Sequence, residues 1–146
     1  METEIFINPD RLKMLLITKN FQDRMEKSSL YLAAKLTKYA DVVTWEEDGN
    51  ICDILSQLDF IPDFILLNDY KYDYSPWVWG FSEIDIPVGA IMHDLKFKMS
   101  RRQKFYQREN IQHLFMHYRD ASLTYFPQLE DRFHWLPHHV PLELFH

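Results

Sequence analysis

The sequence predicts an α/β domain: a Rossmann-like, mainly parallel sheet flanked by helices on both faces. Three observations carry that expectation. Short, continuous apolar runs such as Met14-Leu15-Leu16-Ile17 and Phe64-Ile65-Leu66-Leu67 have the form of strands buried on both faces. Stretches with apolar residues at helical spacing separate them. The two kinds alternate along the chain, a pattern that right-handed crossovers resolve into a parallel sheet.

Strand one is expected over residues 13–18. In the stretch after it, Met25, Leu32, Leu36 and Tyr39 recur at helical spacing opposite Lys27, Lys35 and Lys38, the mark of an amphipathic crossover helix. Val42-Val43-Thr44-Trp45 is β-branched and aromatic and forms strand two. The turn residues that follow end at Asn50, an N-cap for a helix burying Ile51, Ile54, Leu55 and Leu58. Pro62 closes that unit, and strand three, residues 64–67, ends at Asn68-Asp69. An aromatic loop, residues 70–81, leads to strand four over 87–92, which ends at His93-Asp94. Ser100 is placed to cap a basic helix running to about Asn110. Residues 113–116 form a fifth strand, a short helix stops at Pro127, and residues 133–136 form a sixth. The expected strand order is 3-2-1-4-5, with Lys19, Asp69 and His93 along one edge.

The chain has 146 residues, the size of one core, so a single domain over residues 1–146 is expected. No apolar run approaches the roughly 20 residues needed to cross a bilayer, and the opening METEIFINPDRLK lacks the regions of a secretory signal. A cytoplasmic protein without a transmembrane segment is expected. The lone Cys52 falls at an apolar-looking helix position and reads as a buried, inert thiol. A formal charge of −6 argues against a general nucleic-acid binder. The charge is uneven, however: residues 39–70 contain no Lys or Arg, whereas residues 96–108 carry six bases and no acid.

Ligands in such sheets bind beyond the carboxyl ends of the strands, so the residues following each strand are the candidates. Thr18-Lys19-Asn20-Phe21 after strand one offers no glycine fingerprint for a dinucleotide, and three glycines in the chain leave no phosphate-cradling loop. Asp69 suggests a receiver domain, but the acidic pair that domain needs after strand one is missing. His93 and Asp94 suit polyol chemistry, an imidazole to share a proton and a carboxylate to orient a hydroxyl; the same two residues equally suit backbone hydrogen bonding and turn capping. Tyr70, Tyr72, Tyr74, Trp77 and Trp79 offer flat faces for a sugar or for a packed interface. Arg101, Lys104 and Arg108 share one helix face suited to an anionic surface, and also to plain solvation. His113 and His117, four apart, and His134, His138 and His139 are weak metal candidates. Too few ligands converge by spacing, so no metal site is expected.

The sequence resembles the N-terminal domain of GT-B glycosyltransferases, particularly the spore-maturation, CgeB-like group. The resemblance rests on Ile86-Pro87-Val88 leading to His93-Asp94, on Tyr118-Arg119-Asp120-Ala121, and on Trp135-Leu136-Pro137-His138-His139-Val140 followed by Leu144-Phe145. It implies the acceptor-binding half of an enzyme that moves a sugar from a nucleotide-sugar co-substrate to a sugar or glycan acceptor. The donor-binding C-terminal domain lies outside this chain, so activity by the chain alone is not expected, and no resident cofactor is implied. His93 then matches the histidine that approaches the transferring sugar, with Asp94 beside it as the catalytic pair. Lys19, Asn20, Asp69, Tyr70, Trp77, His138 and His139 fall on the acceptor or cleft side. Lys19-Asn20 stands where the family has a glycine-containing loop. The alternative is a non-catalytic, flavodoxin-like interaction or regulatory module using the aromatic loop and the basic helix.

Overall fold

The computed structural model describes residues 11–19, 33–70, 72 and 74–136. Six parallel strands form the main sheet: β1 (Leu12–Ile17), β2 (Ala40–Trp45), β4 (Phe64–Leu67), β6 (Val88–Met92), β7 (His113–Met116) and β8 (Phe133–Trp135), in the order β2-β1-β4-β6-β7-β8. Two residues each from β3 (Gly49–Asn50) and β5 (Val78–Trp79) make a separate parallel ladder. The helices are α1 (Ile51–Ser56), α2 (Met99–Arg108) and α3 (Arg119–Tyr125), with 3-10 turns at Phe81–Glu83 and Pro127–Arg132. Residues 33–36 are also helical.

The strand order corrects the expected one. The strand over residues 64–67 does not lie at the far edge beyond β2; it pairs with β1 on one side and β6 on the other. The connection after β2 therefore passes back over β1, and the reversal of strand order falls between β1 and β4. Asn68 and Asp69 move with that strand to the middle of the sheet, between Thr18 and His93.

Alternation along each strand divides the core. Leu15, Ile17, Ile65, Leu67, Val88, Ala90, Met92, Leu114 and Met116 point to one face, where Ile51 and Ile54 of α1 and Phe105 and Tyr106 of α2 cover them. Met14, Leu16, Leu66 and Ile91 point to the other, against Ala33 and Leu36. The step from β1 to β2 runs opposite to every later step across the sheet, and a right-handed crossover accordingly sets Ala33 and Leu36 on the second face.

Local signals fared unevenly. Asn50 caps α1 as expected, its Oδ1 accepting from the Cys52 N–H at 2.8 Å. Cys52 itself is exposed, not buried, because α1 turns Ile51 and Ile54 inward and leaves the next position in solvent. Ser100 does not cap α2: the helix begins at Met99 after Lys98, whose φ of 44° is left-handed, and no side chain caps it. Most of the first crossover helix, with Met25 and Leu32, lies outside the described residues.

Candidate functional site

The carboxyl ends of β1, β4, β6 and β7 bring Thr18, Asn68, Asp69, His93, Asp94 and His117 together, and two polar centres form there. The inner centre is ionic. Asp69 and Arg102, from α2, are both 0 % exposed and form an ion pair. Asp69 Oδ1 also accepts from the Tyr70 N–H at 2.6 Å, and Oδ2 accepts from the N–H groups of His93 at 2.8 Å and Asp94 at 3.1 Å. The left-handed backbone of Asp69, φ 69°, turns its carboxylate back into these donors. Arg102 donates to the Asp94 carbonyl and, through Nε, to the Tyr106 hydroxyl at 2.9 Å. Burial works against the Arg102 charge, but Tyr106 and Asp69 more than offset it and raise its pKa. Burial also pushes the Tyr106 hydroxyl up to about 12, with Arg102 pulling the other way. This centre ties β4, β6 and α2 together beneath the crevice.

The outer centre is a chain of neutral or singly charged groups. Asn68 Nδ2 donates to Thr18 Oγ1 at 3.0 Å, and its Oδ1 meets His93 Nε2 at 2.7 Å. His93 Nδ1 lies 3.2 Å from His117 Nε2, and His117 Nδ1 lies 2.7 Å from the Leu136 carbonyl oxygen. That carbonyl can only accept, so His117 Nδ1 carries a hydrogen and donates it. In the neutral ring Nε2 is then an acceptor for His93 Nδ1–H. With Asn68 Oδ1 accepting at the other His93 nitrogen, three N–H hydrogens are shared by the two rings, and one of them, His93 or His117, is an imidazolium. Turning the Asn68 amide over closes the same chain in a neutral state. The two states differ by one proton. Tyr74 stacks on His93 with ring centroids 4.9 Å apart and holds its plane.

Beside this chain a cleft of about 340 Å³ opens between Met116, Arg119, Leu123, Glu130, Phe133 and Trp135. Trp135 is exposed on its rim and donates from Nε1 to the His117 carbonyl at 3.3 Å. The cleft thus meets the main chain of His117 through Trp135, while the two imidazoles stand outside its lining.

The remaining candidates are spread more widely. Lys19 continues the carboxyl edge of β1, its ammonium 3.2 Å from the centre of the Tyr72 ring and its N–H donating to the Tyr74 carbonyl at 2.8 Å. Asp69 lies under the crevice, not open to it. Tyr70 is half-buried in an aromatic cluster with Trp77, Phe97 and Phe105; Trp77 and Trp79 keep 38 % and 40 % of their surface exposed. Arg101, Lys104 and Arg108 are all exposed on the outer side of α2, opposite buried Arg102, Phe105 and Tyr106. Asn20, His138 and His139 lie outside the described residues. His113 and His117 do not converge: on a strand, four residues span about 13 Å, and each histidine pairs instead with a neighbour across the sheet.

Sequence reasoning gave no site role to Asn68, Arg102 or Trp135, and weighed His117 only as a weak metal candidate. Asn68 and His117 satisfy the same positional rule that selected His93, each standing directly after a central strand. Arg102 is distinguished by its spacing of four from Tyr106 and by lying off the face shared by Arg101, Lys104 and Arg108. No group of three or more metal-binding side chains gathers among the described residues, and no described helix is long and apolar enough to cross a membrane. Comparison with protein-family models, with curated proteins and with solved structures finds no match to this chain.

Proposed function

We propose that this domain is the acceptor-binding half of a sugar-transferring enzyme, and that its acceptor occupies the cleft beside Trp135 with the His93–His117 chain as proton carrier. The observation that carries the reading is that chain, which starts from Thr18 and Asn68 at the strand-order reversal, runs along the carboxyl edge to His117 and closes in two states one proton apart. Transfer of a sugar to a hydroxyl requires the hydroxyl to lose its proton, and a positioned imidazole is suited to take it. The exposed Trp135 ring supplies a face on which a sugar can stack, and Arg119 and Glu130 offer polar groups to its hydroxyls. The GT-B resemblance assigns departure of the nucleotide to a donor-binding domain, so this chain alone should transfer no sugar.

An NMR titration of the chain with a panel of neutral mono- and disaccharides tests the reading. Binding should move the Trp135 indole and His117 ring signals together. If no sugar moves either signal, or if the isolated chain turns over a nucleotide sugar, the reading fails. One observation favours the alternative of a flavodoxin-like interaction module: numbered in the main sheet alone, the strands run 2-1-3-4-5-6, extending the order of that fold. A protein partner that shifts Trp77, Trp79 and the α2 surface, with the Trp135 cleft silent, would support it.

A further inference from the structure

A second pair of histidines stands apart from the carboxyl edge, on the face of the sheet opposite α1 and α2. His113 opens β7 and His134 lies in the edge strand β8; their Nδ1 and Nε2 atoms are 3.0 Å apart. The register places Phe115 opposite His134 and Gly89 opposite His113. Phe115 stacks on the His134 ring at 5.2 Å, and Phe64 leans on His113 at 5.9 Å. Both phenyl rings reach over Gly89, where a Cβ would come within 2.8 Å of each. The glycine therefore makes the space in which two aromatic rings fix two imidazoles. Both backbones belong to the sheet ladder, so the nitrogens are held in place by strands and not by loops.

We propose that His113 and His134 form a chelate for a late first-row divalent cation, Cu2+, Ni2+ or Zn2+, which on binding staples β8 to β7. With metal–nitrogen bonds of about 2.0–2.1 Å, nitrogens 3.0 Å apart subtend roughly 91–97° at the ion. That is the angle between neighbouring ligands in tetragonal or octahedral coordination, and imidazole is a preferred donor for these ions. In the metal-free pair one ring donates its N–H to the other. Binding moves that hydrogen to the outer nitrogen of the same ring, so each imidazole stays neutral and each turns a lone pair to the cation. His134 is exposed and His113 half-buried, which leaves the remaining positions to water.

The test is titration of the full chain with Cu2+, followed by electron paramagnetic resonance, and thermal unfolding with and without Ni2+. The spectrum should report two coordinated imidazole nitrogens, and Ni2+ should raise Tm because the folded pair binds it more tightly than the unfolded chain does. The chain has seven histidines, so variants carry the assignment. His113→Asn and His134→Asn should each weaken binding by at least the roughly 10- to 100-fold that loss of even a supporting partner costs, and abolish the Tm rise. Circular dichroism of both variants checks that they fold, and substitution at exposed His134 leaves the core untouched. Wild-type affinity in either variant, or a wild-type chain that shows no two-nitrogen spectrum, overturns the proposal.

Discussion

Asn68 and Asp69 are neighbours in the chain and follow the same strand, yet they build opposite kinds of centre. Asp69 is sealed under the crevice with Arg102, its oxygens filled by backbone N–H groups and the guanidinium. Asn68 is also buried, but it leads outward through His93 to His117 at the rim of a cleft. The first centre is a buried ion pair held by backbone donors. The second is a chain of hydrogen bonds that closes in two states one proton apart. Removing a member of the first should therefore register in stability, and removing a member of the second in chemistry.

The largest expected effect belongs to the sealed centre. Arg102→Met leaves the buried Asp69 carboxylate without its guanidinium, with only backbone N–H donors, and should destabilise the fold by about 3–5 kcal/mol. Adding Asp69→Asn, which keeps a residue tolerant of the left-handed backbone, removes the stranded charge and should recover part of the loss. Urea unfolding of the single and double variants measures both. A loss under about 1 kcal/mol for Arg102→Met would erase the contrast, because it would mean that the pair is no more than a surface-like ion pair.

The next effect belongs to the outer chain. On the proposed sugar-transfer reading, His93→Ala in a form extended by a donor-binding domain should slow turnover by about 100- to 1000-fold, the range for losing a transition-state interaction of ~2.7–4 kcal/mol. Its cost in stability should be smaller, roughly 1–3 kcal/mol for the partners left unpaired. Steady-state kinetics and thermal unfolding on the same variant separate the two. Normal turnover with a lowered Tm would place His93 with Asp69 in the scaffold, and the two centres would then differ in exposure alone.

How far these centres were legible follows from what a linear sequence encodes. The strand over residues 64–67 was readable because a buried parallel strand is a continuous apolar run, and its polar end gave Asp69 at once. The neighbours of that strand were not readable, because periodicity fixes an element and its faces but not what lies beside it. The mistaken order placed Asp69 at the edge and hid its contacts with β6 and α2. Arg102 was lost in a run of bases whose other members are solvated; burial of one guanidinium among them depends on a carboxylate that arrives from another strand. His117 was weighed only with His113 as a weak metal candidate, although the expected strand over 113–116 already set it at a strand's carboxyl end, level with His93.

The smallest effect concerns Tyr106, which closes the sealed centre, and it appears only at alkaline pH. A phenol ionises at about 10 in the unfolded chain, whereas burial raises Tyr106 to about 12 in the folded one. Between these values the unfolded state has lost the proton and the folded state keeps it. Unfolding then releases a proton, and stability falls as pH rises through that window. The loss can reach roughly 3 kcal/mol by the upper end. Tyr106→Phe has no proton to release. At neutral pH it should be less stable than wild type by roughly 1–2 kcal/mol, because Arg102 Nε loses its acceptor. As pH rises above about 10, the wild type should lose that advantage while other tyrosines and lysines titrate alike in both proteins. Urea unfolding of the pair at matched pH values reads the difference directly. A gap that stays constant across the window would mean that the Tyr106 hydroxyl reaches solvent, and that the inner centre is less sealed from the outer one than its burial implies.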